Sequence, residues 1–141
     1  MEKRIFRKLH RLEEDNNLLT SSLVGEIPDL KIYFVTARDA HPIMVEDTHH
    51  WLQNNTDYFD DIFHVTQSPK ADFCIAAGIT VMIEDEVKQT LGLLEKGVNV
   101  ICMDQPWNRN VERTVPPASP GKIIRVSGWR EAVSAAKEFL L

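Results

Sequence analysis

Apolar residues along this chain fall into short runs separated by helical patterns, and their alternation predicts the architecture. The segment 31–36 (Lys-Ile-Tyr-Phe-Val-Thr) is rich in aromatic and β-branched residues and predicts a buried strand. Pro42 can open a helix with an irregular apolar face of Ile43, Val45, Trp51 and Leu52, stopped by Asn54, Asn55 and Asp57. A short strand over 62–65 follows. Ser68 is then placed as an N-cap, with Pro69 at the first helical position and a helix over 70–77 that Gly78 closes. A strand over 80–83 leads to a helix over 86–96 with Val87, Leu91 and Leu94 inward and Gly97 at its end. The nearly all-apolar stretch 98–103 has the character of a parallel strand covered on both faces. Four of the seven prolines fall within 104–121, which predicts a long irregular connection. A last strand over 123–126 and an amphipathic helix over 129–141 (Val133, Ala136, Phe139, Leu140) end the chain.

At the other end, Ile5, Phe6, Leu9 and Leu12 stand at helical spacing and predict a helix over 2–15. Ser21, Ser22, Gly25, Pro28 and Asp29 then mark a loop. The expected organisation is an N-terminal helix and loop over 1–30 and an α/β core with a mostly parallel sheet over 31–141.

Composition narrows the functional classes. Hydrophobic residues at 43% and charged residues at 26% are ordinary for a globular domain, and 141 residues are enough to bury a core. A formal net charge of -5 disfavours non-specific nucleic-acid binding. Lys3, Arg4, Arg7, Lys8 and Arg11 crowd one segment, but Glu2, Glu13 and Glu14 flank them, as on a solvated helix face. Charges interrupt the N-terminal apolar residues, so no signal-peptide core is expected there, and no apolar run approaches the ~20 residues of a membrane span. Cys74 and Cys102 each lie in an apolar run, as buried thiols of a reducing compartment do, and the expected address is the cytoplasm.

Three places carry candidate chemistry. Thr36 ends an apolar strand, where its hydroxyl and neighbouring N–H groups suit a phosphate oxygen, or where it is simply a strand threonine. Lys70 opens a helix, although cations are disfavoured at the positive end of the helix dipole; a bound phosphate would relieve that conflict, or else it is a plain surface lysine, the favoured reading. Glu84, Asp85 and Glu86 follow an apolar strand. Crowded carboxylates repel unless a cation sits among them, which suits Mg²⁺, or else Asp85 or Glu86 caps the next helix. His41, His49 and His50, with Glu46 and Asp47, are candidates for a transition-metal site. Adjacent histidines point about 100° apart on a helix, however, which favours exposed or interfacial positions. Trp51, Trp107 and Trp129 lie in different elements and read as core or interface anchors rather than a stacking platform.

Strand threonine, helix-start lysine and strand-end acids, in that order, resemble the haloacid dehalogenase superfamily of phosphohydrolases. The detail is closest to its 5'-nucleotidase and 5'(3')-deoxyribonucleotidase branch: Val35-Thr36-Ala37-Arg38, Ile83-Glu84-Asp85, Gly97-Val98-Asn99-Val100, Asp104-Gln105-Pro106-Trp107-Asn108-Arg109 and Arg125-Val126-Ser127-Gly128-Trp129. The resemblance implies a Rossmann-like three-layer sandwich and Mg²⁺-dependent hydrolysis of a phosphate monoester, a nucleoside monophosphate by that branch. It implies that Thr36, with Ala37 and Arg38, binds the phosphoryl group, that Lys70 neutralises nucleophile and phosphate, and that Glu84 or Asp85 holds the metal. Glutamate at 84 departs from the family's aspartate and leaves the direct ligand open.

The family's first motif, Asp-x-Asp after the central strand, supplies the nucleophile and the general acid–base. The aspartates here are Asp15, Asp29, Asp39, Asp47, Asp57, Asp60, Asp61, Asp72, Asp85 and Asp104, and no two are separated by one residue. The expectation is therefore a sheet without its first, central strand or a cap, and a chain inactive on its own. The alternative is a non-catalytic phosphate- or nucleotide-binding module, or an interaction module such as a homodimer that completes its sheet across the interface.

Overall fold

The computed structural model describes residues 3–8, 26–36, 46, 50, 60–65 and 70–141, with backbone alone for 3–8, 36 and 64. Six parallel strands form its sheet: β1 (Lys3–Lys8), β2 (Leu30–Thr36), β3 (Asp61–His64), β4 (Val81–Glu84), β5 (Asn99–Met103) and β6 (Ile123–Val126). The helices are α1 (Lys70–Ala77), α2 (Val87–Glu95), α3 (Val111–Thr114) and α4 (Trp129–Leu140), with a 3₁₀ turn at Pro106–Asn108. The α/β class expected from the alternation is the class observed.

The strand order is β3-β2-β1-β4-β5-β6. This is the order of Rossmann-like doubly wound sheets: successive strands run outward one way from β1, then the chain returns to its other side. Two expectations are corrected here. Residues 3–8 are a strand, not part of a helix, and the central strand is present. Lys3↔Leu30 through Lys8↔Val35 pair β1 with β2, while Ile5↔Val81 through Arg7↔Ile83 pair it with β4. Two parallel neighbours offering unpaired N–H and C=O groups on either side outweigh the local helical spacing of Ile5 and Phe6. With that slot filled inside the chain, the reason for expecting a sheet-completing dimer is gone.

Both faces of the sheet are covered. Ile32, Val81, Ile83, Ile101 and Val126 pack with Trp129, Ala132, Val133 and Ala136 of α4. On the opposite face Val35, Met82, Val100 and Cys102 pack with Ala71 and Cys74 of α1 and Leu93 and Leu94 of α2. Alternation along β4 sends Val81 and Ile83 one way and Met82 and Glu84 the other, so Glu84 faces the α1 layer. Phe63 stands 5.3 Å from Tyr33 and 4.9 Å from Phe73 between ring centroids, fastening α1 over β2 and β3. Gly78 and Gly97 end α1 and α2 at φ 71° and 87°, a region that favours glycine. The connection over 104–121 is less irregular than its prolines predict, because the 3₁₀ turn and α3 lie in it.

The expected helix after Pro42 and its histidines fall outside the described residues, apart from Glu46 and His50. These two are exposed and 3.8 Å apart, an i,i+4 pair. Ser68, Pro69 and Trp51 also lie outside. Among the described residues no helix is long and apolar enough to cross a membrane.

Candidate functional site

In a doubly wound sheet ligands bind beyond the C-terminal strand ends, at the point where the strand order reverses. Here that point lies between β1 and β4. Lys70 and Glu84 meet there: Lys70 Nζ lies 3.0 Å from Glu84 Oε2, with the two side chains 5% and 0% exposed. Lys70 is therefore not the surface lysine its helix-start position suggests: it is buried, with an acid from β4 as its partner. Glu84 Oε1 accepts hydrogen bonds from the backbone N–H groups of Asp85 and Glu86, at 3.0 and 3.2 Å. Those groups sit at the positive end of α2, where a carboxylate is stabilised. Glu86, the N-cap residue of α2, makes no side-chain cap.

The ammonium still has capacity. Lys carries three N–H donors, and Glu84 is the one acceptor of Lys70 among the described residues. A nearly buried cation at the switch point with donors left over is an anion-binding feature.

Asp85 is buried, and its carbonyl is a hub. Trp107 Nε1 donates to it at 2.9 Å and Asn108 Nδ2 at 2.8 Å. Asn108 uses its whole amide: Nδ2 also donates to Met103 O, while Oδ1 accepts from Gln105 N–H and Arg125 Nη1. Arg125 reaches over from β6 to Asp104 Oδ1 at 2.6 Å, Glu112 Oε1 at 2.7 Å and Asn108 O at 2.8 Å. Its hydrogen bond holds the Glu112 carboxyl below the usual range. This clamp fixes the loop after β5 against the loop after β4. The roles of Asn108 and Arg125 are not legible in sequence, since the signal is a contact across 17 residues. Trp129 is a core anchor as expected, whereas Trp107 is exposed and not part of the core.

Of the remaining expected site residues, Thr36 ends β2 on the same C-terminal rim, paired in register with His64. Ala37 and Arg38 lie outside the described residues.

The donor set suits a magnesium ion only narrowly. Both oxygens of Glu84 are engaged, Oε2 by the Lys70 ammonium and Oε1 by two backbone N–H groups. Among the described residues no group of three or more His, Cys, Asp or Glu could hold an ion. Mg²⁺ needs only one or two carboxylates when a phosphate supplies the rest, and Asp85 is the other acid of the pair. After β1 the sequence reads Leu9-His10-Arg11-Leu12, with neither an aspartate nor the glycines of a dinucleotide-binding turn. No family model and no curated protein matches the sequence.

The two thiols border this region without serving it. Burial pushes Cys74 up to about 12, with Lys70 pulling it back and Glu84 adding to the rise. Burial likewise pushes Cys102 up to about 11, against the pull of Arg125. Both thiols are protonated in the native state below their ordinary value of 9.0, and above it the unfolded chain loses its protons first. Stability is therefore expected to fall as pH rises from 9.0 through about 11 and 12. At pH 8 a thiol-reactive chromogenic disulfide should label neither cysteine until denaturant is added. Rapid labelling of native protein would contradict the burial.

Proposed function

We propose that this chain is a phosphohydrolase-like protein of the haloacid dehalogenase kind that binds a phosphorylated small molecule, a nucleoside monophosphate, without hydrolysing it. The observation that carries the reading is the buried Lys70 ammonium at the switch point, with N–H donors beyond its one bond among the described residues, to Glu84. The phosphate would take those donors, beside the C-terminal end of β2 on the far side of β1. Mg²⁺ would arrive with the ligand, Asp85 its protein carboxylate, and would neutralise phosphate oxygens. Glu84 holds the lysine in place and is a positioning residue.

Turnover by the family's route needs a carboxylate at the end of β1 to attack phosphorus. Leu9 and His10 follow that strand instead, so no aspartyl-phosphate forms there. Binding without chemistry is what the rim can do.

Isothermal titration calorimetry with adenosine 5'-monophosphate and Mg²⁺, run beside a phosphate-release assay, tests this. Heat of binding with no phosphate released is the expected result. Absence of heat with the nucleotide, with ribose 5-phosphate and with inorganic phosphate would sink the binding site. Sustained phosphate release would overturn the claim of inactivity.

A further inference from the structure

Trp107 is one of three large hydrophobic residues exposed among the described residues, with 61% of its surface in water. The other two are Ile75, on the outer face of α1, and the terminal Leu141. An indole leaves that much apolar surface in water at a cost, since aromatic side chains otherwise contribute most by burial. The ring is also fixed. Its Nε1–H is held at 2.9 Å by the carbonyl of Asp85, Pro106 precedes it at the start of the 3₁₀ turn, and Asn108, 1% exposed, locks the next residue. An exposed ring that is oriented beforehand binds a planar partner with little further loss of freedom.

Its anchor point is informative. The carbonyl that holds the indole belongs to Asp85, the neighbour of Glu84, which grips Lys70. The aromatic face therefore flanks the rim where the phosphate is placed. Base–aromatic stacking contributes roughly 1–3 kcal/mol per base, equivalent to about 5- to 150-fold in affinity.

We propose that Trp107 is the stacking surface for the base of the bound nucleotide. The inference rests on the phosphate site proposed above and adds the residue that distinguishes a nucleotide from a plain sugar phosphate. The Arg125–Asn108 clamp then has a purpose: it holds the ring-bearing loop at a fixed distance from the phosphate.

Calorimetry on the full chain with Mg²⁺ separates the possibilities, using adenosine 5'-monophosphate and ribose 5-phosphate as probes. Trp107→Ala is expected to weaken the nucleotide about tenfold or more and leave ribose 5-phosphate unchanged. Trp107→Phe, which keeps a ring but loses the N–H, should retain most of the nucleotide affinity. Asp85 O keeps the Asn108 hydrogen bond in either variant, so the loop has its second tie. Unchanged nucleotide affinity in Trp107→Ala would overturn stacking while leaving the phosphate site standing. Equal loss for both probes would also overturn it, in favour of a role through Asp85. If the parent protein binds neither probe, the phosphate site itself fails and the stacking role falls with it.

Discussion

Glu84→Leu is expected to destabilise the protein by about 3–5 kcal/mol, the range for removing one partner of a buried ion pair. The loss comes from what remains: Lys70 would keep an ammonium 4% exposed as a residue, with its one acceptor among the described residues gone. Lys70→Met should cost somewhat less, because Glu84 Oε1 keeps the two backbone N–H bonds at the start of α2. The double change Lys70→Met/Glu84→Leu replaces the pair by apolar groups of similar size, which is often near neutral. Denaturant unfolding of the four proteins gives the coupling energy directly. A large coupling, with the double variant close to the parent, is the expected result; additive losses would show that the pair does not act as a unit. The cycle also separates fold from function. The double variant should be folded yet bind adenosine monophosphate about tenfold or more weakly, since charge-assisted hydrogen bonds contribute about 1.5–3 kcal/mol.

That pair also marks the limit of what sequence could reveal. A lysine at a helix start and acids at a strand end were each readable as local anomalies, and both lie at the switch point. Their contact was not readable, because it joins residues 14 apart on elements that only the fold brings together. From sequence Lys70 reads as a surface lysine, or as the partner of a bound phosphate, whereas it is buried against an internal carboxylate.

The outer strands and the three long helices were legible because apolar runs and helical periods are local signals. β1 was not. Its six residues hold two apolar side chains, Ile5 and Phe6, between basic ones, and Leu9 and Leu12 extend them into a helical spacing. The ladders that β2 and β4 offer on its two sides are a property of the assembled sheet and leave no trace in the segment itself. The loop after β5 is similar. Prolines announce an irregular path, but the clamp of Arg125 on Asn108 exists only when β6 lies beside β5.

The same substitution at two glycines should have opposite effects. Gly121 leads into β6, and its N–H donates to Leu94 O at 3.0 Å, so the backbone there lies directly on the end of α2. A Cβ at 121 would stand 2.5 Å from Val98 O, 2.8 Å from Leu94 Cα and 2.9 Å from Leu94 O. All three are backbone atoms, and none can swing aside as a flexible side chain would. Gly121→Ala must push the connection off α2, weakening the bond to Leu94 and the start of the β5–β6 ladder, where Val100 N–H meets Lys122 O at 2.9 Å. Overpacking typically costs 1–3 kcal/mol, and with a backbone wall on every side the expectation is at least about 2 kcal/mol. Gly92 lies inside α2, and a Cβ there would meet only the Cβ of Ala71 at 4.0 Å, an ordinary contact. Gly92→Ala removes a residue that weakens helices by roughly 0.5–1 kcal/mol and should stabilise the protein by about that amount. Thermal unfolding of the two variants beside the parent checks both. If Gly121→Ala melts with the parent, the close approach of residue 121 to α2 is wrong, and with it the path that carries the chain from the Arg125-clamped loop into β6.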